Sequence, residues 1–130
     1  MEYTWIVTKS FEHKIDCFCS GEPHTSKIPF QKGDRIELTD EVKNVEPMGW
    51  YVRIIMNQTY QVFVHIDDLE DFYEHHLIQS EMDLDLQRNY YQYKVNTALD
   101  EWNQDQFSHY VNKLEEVQDV LTTSFTRIPS

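Results

Sequence analysis

The hydrophobic period of this chain changes near residue 78, and that change limits the folds open to it. Before it, apolar residues alternate with polar ones or gather in short β-branched and aromatic runs. After it, they recur every three to four residues. A period of two belongs to half-buried strands and a period of 3.6 to amphipathic helices. The pattern predicts an α+β protein, with residues 1–78 forming a small β-barrel and residues 79–130 an antiparallel two-helix hairpin.

Tyr3 to Thr8 reads as the first strand. Lys32-Gly33-Asp34 is a turn signal, followed by the alternating Arg35 to Leu38. Trp50 to Met56 and Tyr60 to Ile66 flank the short polar Asn57-Gln58-Thr59 and read as a hairpin. Asp67 to Glu74 has room for a helical turn and a last short strand. Ser10 to Pro29 carries Gly21, Pro23 and Pro29 and reads as a long loop or irregular hairpin.

In the second part, Leu84, Arg88, Tyr91, Val95, Ala98 and Trp102 form one stripe. Phe107, Tyr110, Val111, Leu114, Val117 and Leu121 form another. Asn103 with Gln106 three residues on is an N-cap signature. Trp102 and Tyr91 are expected at the junction with the barrel, and the tail from Thr122 is expected to fray.

The first part resembles bacterial SH3-like barrels. Phe30, Lys32-Gly33-Asp34, Ile36, Leu38, Gly49-Trp50-Tyr51 and Val62 to Ile66 carry the likeness. The second part resembles the IDEAL domain through Val95-Asn96-Thr97-Ala98-Leu99-Asp100, then Asp105, Phe107 and Leu114. The first resemblance implies only a fold. The second implies a helical hairpin without catalytic residues, in a regulatory or protein-binding role.

Charge narrows the function. Eleven Lys+Arg stand against 23 Asp+Glu, a net charge of -12. Direct binding to nucleic acid or to an anionic membrane needs the opposite sign. No apolar run is long enough to span a bilayer, and no basic-then-apolar leader opens the chain, so a cytoplasmic protein is expected. No phosphate loop, nucleophile elbow or metalloprotease signature is present, and an enzyme is not expected.

Between Arg53 and Arg88 no Lys or Arg occurs, while Asp67, Asp68, Glu70, Asp71 and Glu74 crowd one segment. A one-sign patch steers an oppositely charged partner, although it also serves plain solubility. Tyr90 and Tyr93 lie beside the main helical stripe, where exposed tyrosines anchor interfaces. These seven residues are the expected contact set for a basic protein partner. The expected function is an acidic adaptor or inhibitor, and a homodimer through the same helices is the competing use.

Two alternatives remain at this stage. His13, Cys17, Cys19 and His24 have the donor types for a tetrahedral zinc site stabilising a binding module, with ordinary reduced thiols as the competing reading. The acidic segment also has the charge of a DNA mimic that blocks a nucleic-acid-binding protein.

Overall fold

The computed structural model describes the backbone of residues 4–17 and 24–126, and the side chains of residues 4–14 and 27–126. Among these residues, seven strands and three helices follow in order. They are β1 (Thr4–Val7), β2 (Phe11–Cys17), β3 (His24–Phe30), β4 (Arg35–Val45), β5 (Gly49–Met56), β6 (Tyr60–His65), α1 (Ile66–Glu74), β7 (Ile78–Ser80), α2 (Glu81–Asp100) and α3 (Gln104–Thr126).

The expected β5–β6 hairpin is present, paired from Tyr51↔His65 to Met56↔Tyr60. It extends into an antiparallel sheet ordered β6-β5-β4-β1-β7. One face of that sheet presents Val7, Ile36, Ile54, Met56, Val64 and Ile78, all buried. The β2–β3 ribbon lies over this face with Ile28 and Phe30, and α1 lies over it with Phe72. Phe11 and Phe30 stack at 4.8 Å, and Phe72 meets them at 4.8 and 5.6 Å. Three aromatic rings thus join the ribbon to the helix above the sheet.

The other face takes the helical pair. Ile6 points the opposite way from Val7, as neighbours on a strand must. It is fully buried against Leu84 of α2 and Val117, Val120 and Leu121 of α3. Arg35 stands beside Ile6 in register. It donates to Glu81 Oε2 at 2.8 Å and to Ser124 Oγ at 3.4 Å, so one buried guanidinium ties the start of α2 to the end of α3.

The sheet is not a closed SH3-like barrel. β6 and β7 are its unjoined edges, and β2–β3 is a separate two-stranded sheet. The cause is local. β7 has only three residues before Ser80 caps α2, its Oγ accepting from the Asp83 amide at 3.1 Å. A strand that short gives the sheet little edge with which to close. The coarser expectation of an α+β chain with an antiparallel sheet and a helical hairpin is met, with α1 as a third helix. Ser10 to Pro29 holds a regular ribbon from Phe11↔Phe30 to Cys17↔His24. No helix of the described residues is long and apolar enough to cross a membrane.

α3 does not fray at Thr122. It continues to Thr126, and Ser124 is completely buried. The Lys32-Gly33-Asp34 turn holds it there. Lys32 pairs with Asp119. Gly33 sits at φ +93, and a Cβ at that position would overlap the Thr123 side chain. The Asp34 carboxylate accepts from the Gln31 amide at 2.8 Å and from Asn57 Nδ2 at 3.2 Å, fixing the turn from below.

Gly33 therefore meets two demands, a left-handed backbone and a helix in van der Waals contact. Gly33→Ala is expected to lower stability by about 2–4 kcal/mol through strain and overpacking combined. Urea unfolding checks this as a lower midpoint with an unchanged slope.

Candidate protein-binding surfaces

α1 is a helix because Ile66, Leu69 and Phe72 recur at three-residue spacing and pack on the sheet. Its N-terminus is capped by His65, whose Nδ1 accepts from the Asp67 amide at 3.1 Å. Asp67 and Asp68 in the first turn complement the positive end of the helix. Asp68 also accepts from His13 Nε2 at 2.9 Å, so the β2–β3 ribbon touches the acidic helix. Glu70, Asp71 and Glu74 are exposed and enter no ion pair among the described residues.

This charge arrangement works against the helix that bears it. Asp67 and Asp71, and Glu70 and Glu74, are like charges four residues apart. Glu74 lies at the negative end of the helix, where no basic residue offsets it. Glu74→Lys is expected to raise stability by about 0.5 kcal/mol, by ending one repulsion and matching the dipole. Thermal melting at low salt checks it, and the gain shrinks as salt is added.

A cleft of about 260 Å³ opens between α1 and the sheet. Trp5, Ile36, Leu38 and Ile78 line it from the sheet, and Leu69, Glu70, Tyr73 and Glu74 from the helix. The Trp5 and Tyr73 rings meet edge to face, 5.5 Å apart at 90°. Tyr73 is half-exposed, and Leu38 is open to solvent.

α2 is apolar on two opposite sides. Leu84, Tyr91, Val95 and Ala98 face α3 and β1, as their spacing predicts. On the far side, Met82, Leu86, Tyr90 and Tyr93 fall at i, i+4, i+8 and i+11, and each is more than half exposed. Lys94 Nζ lies 5.6 Å from the Tyr90 ring centre, covering only part of it. Tyr90 and Tyr93 thus share one bare stripe. Met82 belongs to it as well; its spacing from Leu86 and Tyr90 is visible in the sequence, but the stronger inner stripe masks it.

Trp102 does not form a junction with the sheet. It is 93% exposed, with φ at 55°. The end of α2 explains this. The Asn103 amide donates to Ala98 O at 2.9 Å and the Trp102 amide to Leu99 O at 3.2 Å. These are the two bonds of a Schellman ending, whose left-handed position is usually glycine. The turn carries Trp102 off the α2 stripe, and Asn103 then caps α3 by accepting from the Gln106 amide at 3.1 Å. Trp102→Gly is expected to raise stability by about 0.5 kcal/mol, since the relief of left-handed strain exceeds the added chain entropy. Chemical denaturation at matched conditions reads the difference.

Of the candidate zinc ligands, His13 is placed by its bond to Asp68 and its edge-on packing against Phe72 at 4.9 Å. Cys17, Cys19 and His24 have side chains outside the described residues. Among the described residues, no group of three or more His, Cys, Asp or Glu is arranged to hold a metal. The five acidic residues of the expected contact set lie together on α1, and the two tyrosines lie on α2. The chain matches no family model, no curated protein and no solved structure.

Proposed function

We propose that this chain is a non-enzymatic regulatory protein, an adaptor or inhibitor, that binds another protein through the outer stripe of α2 and the acidic face of α1. The observation that carries this reading is the two-sided α2. A helix apolar on opposite faces is ordinarily buried on both. Here one face has its partner within the chain and the other is bare. Exposed apolar surface of this kind marks an interaction site.

The charge of α1 supports the same reading. It opposes the stability of its own helix, and local conflicts of that sort gather at functional positions. A basic protein would be drawn to that face and held by the apolar stripe. The resemblance of Val95 to Asp100, Asp105 and Phe107 to the IDEAL domain supports a regulatory role.

The test is affinity capture from the source cell at low and high salt, with three baits. They are the unaltered chain, Leu86→Glu/Tyr93→Glu, and a variant with Asp67, Asp68, Glu70 and Asp71 changed to Lys. All altered positions lie at the surface or half-buried, and melting curves verify that each bait is folded. A partner is expected on the unaltered chain and on neither variant. Identical recovery on all three baits overturns the reading. So does a mass of twice 15.7 kDa by light scattering that halves in Leu86→Glu/Tyr93→Glu, which would assign the stripe to self-association.

A further inference from the structure

We propose that the cleft between α1 and the sheet receives one cationic side chain, a lysine or arginine presented by a basic peptide segment. This rests on the protein-binding reading and gives that partner a specific contact.

Size sets the first limit. A cleft of about 260 Å³ lies at the low end of the roughly 300–1,000 Å³ typical of small-molecule sites and has room for one long side chain. Its chemistry sets the second. The walls offered by Leu38, Leu69 and Ile78 suit an alkyl stem. Trp5 and Tyr73 add aromatic rings, the preferred neighbours of a cation. Glu70 and Glu74 line the same cleft one helical turn apart, and neither has an ion-pair partner among the described residues.

An apolar stem, aromatic rings and two free carboxylates together describe a long basic side chain. Among the described residues, no Lys, Arg or His lines the cleft. The lining surface is almost wholly apolar and Glu70 and Glu74 are themselves exposed, so a purely apolar anchor would fill the cleft but leave their charges unused. An acidic anchor would add a third negative charge.

The experiment uses the intact, isotope-labelled protein and short capped peptides, Gly-Lys-Gly, Gly-Arg-Gly, Gly-norleucine-Gly and Gly-Glu-Gly, at matched ionic strength. The Trp5 indole N–H and the amides of residues 69–74 are followed by NMR. The lysine and arginine peptides are expected to move these signals to saturation, with norleucine at least about ten-fold weaker and glutamate silent. Tyr73→Ala and Glu70→Gln/Glu74→Gln are each expected to weaken the basic peptides by about five-fold or more. Glu115→Gln/Glu116→Gln, exposed on α3 and outside both the cleft and the acidic helix, changes little.

Equal binding of norleucine overturns the proposal in favour of a merely apolar pocket. Equal loss in Glu115→Gln/Glu116→Gln overturns it in favour of a diffuse field. Unmoved signals at about 20 mM peptide overturn it outright, since affinity weaker than that range leaves under about 2.3 kcal/mol for the whole contact. Failure of the two readings is separable. A captured partner that is lost on charge reversal, beside a silent cleft, removes the cleft alone. A cleft that titrates with basic peptides, beside identical capture on all three baits, removes the protein-binding function and keeps the cleft chemistry.

Discussion

β1 is a four-residue strand in the interior of the sheet, and it is buried on both faces. Val7 belongs to the core beneath the ribbon and α1, while Ile6 belongs to the core beneath the helical pair. Each such side chain contributes about 1.5–3 kcal/mol by leaving water. Because the two adjacent residues face opposite ways, neither core forms fully without the same short strand. Arg35 adds direction to this apolar contact. A buried guanidinium gains little net stability from its pair, but it is costly to leave unpaired. Its bonds to Glu81 and Ser124 therefore fix where α2 starts and where α3 stops against β4.

How much of this was legible depends on the range of the forces involved. The β5–β6 hairpin, the Asn103 cap and the inner stripes of α2 and α3 are set by nearby residues, and period and capping chemistry revealed them. The β2–β3 ribbon was obscured because Gly21, Pro23 and Pro29 interrupt any alternation over that stretch. α1 is nine residues long with few apolar positions, too short for its period to stand out. The end of α3 was misjudged for another reason. Ser124 has no apolar signal, and it is buried because Arg35 reaches it from 89 positions earlier while Gly33 sits against the neighbouring Thr123.

The candidate surfaces divide in the same way. The acidic residues and the two tyrosines were visible by type. Their arrangement was not, because it depends on which side of each helix the core occupies. Once the inner stripe of α2 is seated on α3 and β1, Met82, Leu86, Tyr90 and Tyr93 become its outer face. Trp102 shows the opposite error. Its spacing continues the inner stripe, but the helix ends at Asp100, two residues before it, and the left-handed turn takes it into solvent.

The pairing of Arg35 with Ser124 also bears on the order in which the molecule is assembled. These partners are separated by 89 positions, so the outer face of β1 and β4 is covered only in part, by α2, until nearly all of α3 has been synthesised. During that interval Ile6 lacks its α3 neighbours, and the guanidinium has Glu81 but not Ser124. The sheet and ribbon have their own apolar core and are complete much earlier. Late docking of α3 makes the last turn of this helix the latch of the whole chain, and non-local closure of that kind is slow compared with helix formation itself. A newly made copy thus passes through a stage in which its helical face is adhesive before it becomes selective.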